Sequence, residues 1–582
     1  MEKRVLLAIV LSFAVLYGFQ AMFPPPEPVK PAPSAPTPGT PQGVTAGAGQ
    51  GVQAPGTATP ADPAALEQVS SATPVVSDPA ERDVTFENGS VQAIFSTRGG
   101  TIKSWRLKKY LNAAREPLEL VPQDAPASLP RPFTLSVPDA AVSKTLAQAL
   151  YRPSATAIDA STDQQTLTFE YQDASGLAVK KEFSFHPDSP YVVHFSASVT
   201  RGSESLVPTI HWGPAIGTNL EVNTSGYNAP PQPIYYTNGD VERIASTAVP
   251  EIADQKGTYG FAGADDHYFM SAVVNPTSPL QLQYQVVPIA PKAPTEDPPP
   301  PYITWSATYP GAPSGAAFFF GPKDFDVLAA IDRDLVRAIH FGMFSWLVVP
   351  LLRALKWINV YIGNYGWSII ALTALINVLM FPLRHKSVVS MRRMQEIQPE
   401  VKAIQDRYSK LKMTDPARQN QNKEMMQLYK ERGVNPASGC VPMLLTLPVL
   451  FAFYAMLSVA IELRGAPFIG WIKDLSVYDP LFITPVLMGI TQFIQTKMTP
   501  STADPMQQKV MMLMPLMFMF MFIWAPSGLV LYWTVSNLWA IGQQAVTNKM
   551  IGPAKVHVVR PPAERRVKNA GGGKSIAAKE RK

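Results

Sequence analysis

Between Gly363 and Leu383 the chain reads GNYGWSIIALTALINVLMFPL, uncharged until Arg384, His385 and Lys386 close it. A helix rises about 1.5 Å per residue, so this stretch matches a hydrocarbon core about 30 Å thick. It reads as a membrane span carrying one mid-length amide, Asn377. Further apolar segments follow at Cys440 to Ile461, Leu481 to Lys497 and Val510 to Ala525, the last turning at Pro526-Ser527-Gly528 into Leu529 to Val546. Val510 to Ala525 spans only about 24 Å as a helix, which calls for a locally thinned bilayer.

The N-terminus adds one more candidate. Met1 to Arg4 are basic at positions 3 and 4, and Val5 to Phe23 are uncharged. That run exceeds the usual signal-peptide core of roughly 7–15 residues and shows no small-residue cleavage site, so residues 1–23 are expected to be a retained anchor with its N-terminus inside. A cleaved signal peptide is the alternative. The span count is then five to six, and six gives a self-consistent topology. Residues 384–432 carry twelve Lys or Arg against six Asp or Glu, and residues 548–582 carry ten against two, which places both on the cytoplasmic side.

Residues 24–82 are dominated by Pro, Ala, Gly and Thr, with too little apolar surface to offset ordering, and read as a linker. From 83 to 322 the pattern changes to period two. Leu280, Leu282 and Tyr284 alternate with Gln281, Gln283 and Gln285, and Leu167, Phe169 and Tyr171 repeat the spacing. With turn signals at Asn88-Gly89, Asp188-Ser189-Pro190 and Asn238-Gly239, this predicts a large antiparallel β-sandwich on the far, periplasmic side of the membrane. The single cysteine, Cys440, rules out an intramolecular disulfide. His186, His194, His211 and His267 show no HxH or HxxxH spacing, so no metal, cofactor or catalytic group is expected there.

Residues 323–362 form a hinge. Phe344, Leu347, Val348, Leu351, Leu352, Leu355 and Ile358 fall at helical spacing, with Ser345, Arg353, Lys356 and Asn359 opposite, which predicts an amphipathic helix in the interface with Trp346 and Trp357 at headgroup depth. Within 384–432, Met391, Met394, Ile397, Val401, Ile404, Tyr408 and Leu411 make one stripe. A break at Thr414-Asp415-Pro416 and a second stretch with Met425, Met426, Leu428 and Tyr429 complete a cytoplasmic helical hairpin. Its methionines either pack the two helices together or offer an adaptable cradle.

The spans hold no Asp, Glu, Lys or His away from their ends, which removes proton relays, charge-coupled transport and aspartyl proteolysis, and neither HExxH nor GxSxG occurs. They do hold Thr373, Asn377, Thr446, Gln492, Tyr532, Thr534, Ser536 and Asn537, with Trp533 beside Tyr532. Single polar residues in spans bond a neighbouring helix or their own backbone; several on different helices suggest a shared wet pocket.

The run Asn435-Pro436-Ala437-Ser438-Gly439-Cys440-Val441-Pro442 with Pro448, the loop ELRGAPFIGWIKDLS, Asp504 to Lys509 (DPMQQK) and Pro526 to Trp533 (PSGLVLYW) resemble the YidC membrane protein insertases. FSTRGG at Phe95 to Gly100 is similar to the outer domain of the Gram-negative form, a β-supersandwich related to sugar mutarotases. The resemblance implies a multi-domain protein of the bacterial inner membrane: a polytopic α-helical core at 363–547, a periplasmic β-domain and a cytoplasmic hairpin. It implies an ATP-independent insertase and chaperone, not an enzyme, whose groove opens to cytoplasm and lipid, receives hydrophobic segments and releases them sideways. The expected groove residues are Thr373, Asn377, Thr446, Gln492, Tyr532, Trp533 and Ser536; the hairpin contributes Met391, Met394, Met425 and Met426. Expected partners are nascent membrane proteins, the Sec translocon, membrane lipids, and the ribosome through the basic tail, with no DNA. Two positions depart from the family pattern: Asn377 stands where an arginine is usual and Thr446 where a glutamine is common, so the groove is expected to be polar but not cationic. The alternatives are a membrane-anchored periplasmic sugar-binding or scaffold protein, and a mutarotase-like enzyme.

Overall fold

The computed structural model describes residues 73–112, 114–214, 216, 229–251, 254–288, 301–408, 417–433, 441–499 and 505–551. The expected anchor 1–23 and all of the tail beyond 551 lie outside the described residues. The chain divides into two compact units, the first closing at Gly321 and the second running on from Pro322.

The first unit is built on three sheets. The largest has eleven described strands: nine run from Pro74–Val76 through Gln165–Asp173, Leu177–Phe185, Val192–Arg201, Ala316–Pro322, Phe269–Val274, Phe261–Asp265 and Gln232–Thr237 to Asp240–Arg243, and Arg152–Pro153 and Glu204–Leu206 pair beside Gln165–Asp173 and Val192–Arg201. A five-stranded sheet orders Asp254–Gly257, Leu280–Val287, Tyr302–Thr308, Thr209–Trp212 and Thr134–Ser136. The third orders Pro117–Glu119, Thr101–Leu111, Val91–Ser96, Asp83–Glu87 and Ala157–Asp159. Its last pair is parallel, a departure from the all-antiparallel expectation. Period two holds where it was read: Leu280, Leu282 and Tyr284 are buried, and the glutamines between them are exposed. Asn238 and Gly239 take positive φ and close the two-residue hairpin Thr237↔Asp240, the geometry that fits right-handed strand twist. Within the expected linker, Pro74–Val76 pairs with Gln165–Asp173, and the buried Asp78 carboxylate receives the Arg82 guanidinium.

Aromatic rings from all three sheets fill the core. Phe95 meets Phe183 at 5.1 Å, Phe86 stacks on Phe185 at 4.0 Å, and Trp212 lies parallel to Trp305 at 5.6 Å. Among these rings sits a buried cation, Lys181, whose Nζ donates to the carbonyls of Gly99 at 2.6 Å, Phe133 at 2.7 Å and Gly100 at 3.3 Å. FSTRGG thereby acquires a physical reason. Gly99 and Gly100 both take positive φ, presenting two carbonyls to one ammonium, and a Cβ on Gly99 would stand 2.8 Å from the Ala147 carbonyl of helix α1 (Ala140–Gln148).

The second unit is helical. It contains α2 (Phe325–Ile331), α3 (Ser345–Ile362), α4 (Tyr365–Glu396), α5 (Gln398–Arg407), α6 (Ala417–Glu431), α7 (Val441–Val459), α8 (Ile483–Met498), α9 (Pro505–Met521) and α10 (Ser527–Ile551). Helix α3 is the expected amphipathic element: Val348, Leu351, Leu352, Leu355 and Ile358 are buried, and Trp346 and Trp357 are 68% and 62% exposed. Lys356 departs from that pattern by turning inward to acidic partners. Gly363, left-handed at φ 71°, ends α3, and the Asn364 side chain caps α4 through Trp367 N–H.

Helix α4 does not stop where the span was expected to end. It continues unbroken through Arg384 to Glu396, so the first part of the expected hairpin, with Met391 and Met394, belongs to the same helix. The methionine stripe is split at Ile397, where Pro399 opens α5. Among the described residues α4 is the one helix long and apolar enough to cross a membrane; Pro448–Val459 and Gln508–Met521 are shorter apolar stretches.

Candidate functional site

Helix α10 packs against both α4 and α8, and these three carry most of the polar interior. On α4, Thr373 Oγ1 donates to the Ile369 carbonyl at 2.6 Å and Asn377 Nδ2 donates to the Thr373 carbonyl at 2.8 Å. Both groups are buried and satisfied by their own helix, the local way a span hides a polar side chain. The amide oxygen of Asn377 remains, and it accepts from Arg384 Nη1 at 2.7 Å. Seven residues advance a helix by about two turns and about 10.5 Å, which returns to the same face and lies within reach of an extended arginine. Pro382 sits between them and removes one backbone donor from that turn.

Arg384 also lies within electrostatic reach of Tyr532 on α10, whose hydroxyl is hydrogen-bonded with Ser536 and whose ring stacks on Phe453 of α7 at 4.4 Å. Thr373, Asn377, Tyr532 and Ser536 thus belong to one neighbourhood, joined by an arginine the sequence reading did not include. Gln492 and Trp533 form a second one: Trp533 Nε1 donates to Gln492 Oε1 at 2.9 Å, and its ring lies 5.1 Å from Phe522. The buried Asn537 donates to Thr491 Oγ1 at 3.3 Å. The side chain of Thr446 lies outside the described residues.

At the N-terminal end of α4 the loop between α7 and α8 is laced to its surroundings. Ser527 N–H donates to Val477 O at 2.7 Å and Gly528 N–H to Leu475 O at 2.9 Å, while Asn364 Nδ2 donates to Pro467 O and Phe468 O, each at 3.1 Å. Gly366 leaves room for Phe468, whose ring a Cβ would meet at 2.1 Å. Within the loop, the Asp479 carboxylate accepts from Trp471 Nε1, Leu481 N–H and the Thr484 N–H and hydroxyl, all between 2.8 and 2.9 Å. The motifs ELRGAPFIGWIKDLS and PSGLVLYW are therefore two halves of one interlocked cap.

Residues 357–554 match the family model of the 60Kd inner membrane protein, and residues 83–354 match that of the YidC periplasmic domain. Among curated relatives, the membrane protein insertase YidC of Geobacter metallireducens is 36% identical over 573 residues, covering 95% of this chain and 100% of that one. That of Syntrophus aciditrophicus is 36% identical over 568 residues, covering 94% and 100%. The chain belongs to the YidC family of membrane protein insertases. Among solved structures, a YidC insertase with its first transmembrane domain resolved covers 82% of this chain and 94% of its own at 17% identity and a TM-score of 0.33. The family is one of insertases rather than enzymes, and its members are membrane proteins with a periplasmic domain.

Arg384 brings a guanidinium beside the expected groove residue Asn377. Asn377, where the resemblance leads one to expect an arginine, is the residue its guanidinium reaches. The signal was the i, i+7 spacing on one helix face, hidden because Arg384 was read as the end of the span.

Ion pairs and a tyrosine hydroxyl also link the helices α5 and α6. Arg432 pairs with the buried Glu400 at 2.6 Å, and Glu424 accepts from Arg407 at 3.0 Å and Tyr408 at 2.7 Å. Met391, Met394 and Met425 are half-buried, and Met426 is 60% exposed. In the β-rich unit the fold brings together His186 and His194, with rings 4.9 Å apart, because Phe185↔Val193 pairing places them diagonally on neighbouring strands. Burial first, and then His186, lowers the His194 pKa against a bond to Gly315. His211 meets Ser136 Oγ at 2.6 Å, and burial lowers its pKa as well. No group of three metal-ligating side chains gathers among the described residues.

Proposed function

We propose that this insertase receives the polar flank of an arriving hydrophobic segment at the Asn377–Arg384 site, with Thr373, Tyr532 and Ser536 around it, and passes the apolar part out between the helices into lipid. The observation that carries this reading is the guanidinium held on a buried amide inside a helical unit whose outer faces are apolar. Leu375, Val378 and Leu379 on α4, Ile490 and Phe493 on α8, and Leu513, Leu516 and Phe520 on α9 are exposed, as suits side chains solvated by hydrocarbon. A guanidinium offers five donors, so Arg384 retains donors for water or for acidic and carbonyl groups of a substrate. Burial of the incoming span, at about 25 cal/mol per Å² of apolar surface, drives the transfer without nucleotide hydrolysis. Gln492 and Trp533 form a second polar spot, and Thr446 is assigned to the groove by its residue type and the resemblance alone.

On the same reading the protein is a six-span inner-membrane protein with the hairpin and tail in the cytoplasm. The tail's excess of cations suits the ribosome or anionic lipid, and the insertase works alone or with the Sec translocon. The site is tested with the full chain in vesicles and a small single-span substrate bearing an acidic tail. Arg384→Gln should lower the insertion rate by about tenfold, equivalent to roughly 1.4 kcal/mol, and Arg384→Lys should recover part of it. Unchanged insertion by Arg384→Gln would move the site elsewhere.

A further inference from the structure

The loop between α7 and α8 carries an ionic contact that its backbone lacing does not require. Glu462, in the short 3-10 turn Ile461–Leu463, has a side chain only 7% exposed, and its carboxylate lies 3.0 Å from Lys356 Nζ on α3. The same ammonium lies 2.6 Å from Asp326 and 3.5 Å from Asp324 of α2. Asp324 is also the N-cap of α2, accepting from Asp326 and Val327 N–H. One lysine therefore gathers three carboxylates from two other elements. Tyr365 of α4 faces the same group, and Arg353 of α3 lies over the Phe325 ring at 5.2 Å.

We propose that Lys356 is a positioning residue of the insertase: its ammonium permits Glu462 to stay buried and so clasps the outer loop to α3 and α2, holding the core shut on the periplasmic side. The proposal rests on the reading of this chain as an insertase whose α7–α8 loop lies outside. Each half of the clasp depends on the other. Burial works to lower the Lys356 pKa, but Glu462, Asp326 and Asp324 outweigh it and hold the ammonium above its ordinary range. Burial raises the Glu462 pKa, and Lys356 is the chief opposing influence. Remove Lys356, and an ionised Glu462 has no cation to justify its place; it must take up a proton or draw the loop into water.

That alternative gives a signature that loss of packing does not. A carboxyl easier to protonate when buried than when exposed favours the closed loop as pH falls. Lys356→Met should therefore open the seal at neutral pH and let it close again on acidification, whereas the parent stays closed throughout. Lys356→Met with Glu462→Gln should be closed at every pH, because the buried loop charge is gone with its partner, while Asp324 keeps its cap bonds and Asp326 lies open to water.

The probe is Ile369→Cys in a Cys440→Ser background. Ile369 is fully buried, and a Cβ on Gly528 would touch both it and Leu463 of the loop. Full-length protein is reconstituted in vesicles, an impermeant maleimide is added on the β-domain side, and labelling is normalised to the denatured protein at each pH. Labelling at pH 7.5 should rise about tenfold or more in Lys356→Met, fall towards the parent by pH 5, and return to the parent level in the double variant and in Lys356→Arg. Lys356→Gln, which removes the charge but keeps a polar head beside Glu462, should follow the same pH profile and carries the test if Lys356→Met fails to fold, with Glu462→Gln alone as the pH-independent control. Equal labelling of Lys356→Met and parent, or a Lys356→Met profile without pH dependence, overturns the clasp. The readout needs no substrate, so failed insertion by the parent would count against the insertase reading and leave the clasp standing.

Discussion

Lys181 offers a quantitative test of how the β-rich unit is held together. Burial removes its water and pushes the ammonium down from 10.5 to about 7. Between those values the unfolded chain binds more protons than the folded one, so the free energy of unfolding rises with pH across that window and falls back below it. The ceiling is about 1.4 kcal/mol per pH unit, on the order of 5 kcal/mol over the window. The carbonyls of Gly99, Gly100 and Phe133 and the Tyr151 face at 5.3 Å favour the charged form, so the measured slope should lie below that ceiling. Lys181→Met removes the slope but orphans three buried carbonyls, each costing roughly 1–3 kcal/mol before relaxation. A net loss of roughly 2–4 kcal/mol at pH 7 lowers the midpoint of a domain this size by about 5–15 °C. The assay is thermal unfolding of the full chain in detergent, followed by β-sheet circular dichroism from pH 6.5 to 10. The difference between parent and variant isolates Lys181 from other groups. A difference that does not grow with pH, or a variant melting at or above the parent, would refute the reasoning.

Three further outcomes follow from single contacts. Gly366→Val should drive Phe468 off α4 and cost about 1–3 kcal/mol in detergent melts; a neutral result would mean the loop is not seated there. Asp479→Ala deletes acceptors for four donors and should destabilise the helical unit by roughly 2 kcal/mol or more, with Asp479→Asn retaining part, read in the same melts. Arg432→Met leaves Glu400 buried and unpaired, so limited proteolysis of the hairpin should quicken by about tenfold, and a second change, Glu400→Met, should reverse most of that.

Where side-chain period and chain direction decide structure, the sequence was readable. The buried stripe of α3, the alternation along Leu280–Val287 and the turn at Asn238-Gly239 all follow from local rules. Long side chains were the blind spot. Periodicity assigns Lys356 to a polar face and Arg384 to the water beyond a span, but both reach back to buried partners, Arg384 to its own helix face seven residues earlier and Lys356 to other elements that spacing does not encode. Helix α4 passes through Arg384, His385 and Lys386 because charge ends a hydrocarbon span without ending a hydrogen-bonded helix. The groove candidates share residue type and sit on separate helices, so helix rotation decides their division into an Asn377–Arg384 neighbourhood and a Gln492–Trp533 pair. Strand register likewise hid the His186–His194 contact.

The buried polar site around Asn377 is, as proposed, a wet receiving site for substrate. It is tested most directly by the reactivity of Asn377→Cys, in a Cys440→Ser background, towards an impermeant thiol reagent on the cytoplasmic side, with and without a single-span substrate. Leu379→Cys, at a position 68% exposed on the apolar side of α4, serves as the lipid-facing reference. The cysteine at 377 should react readily, lose that reactivity when substrate is added, and contrast with an unreactive cysteine at 379. A thiol at 377 that stays unreactive in folded, insertion-competent protein would contradict the claim and leave Asn377 and Arg384 as a dry internal bond of one helix.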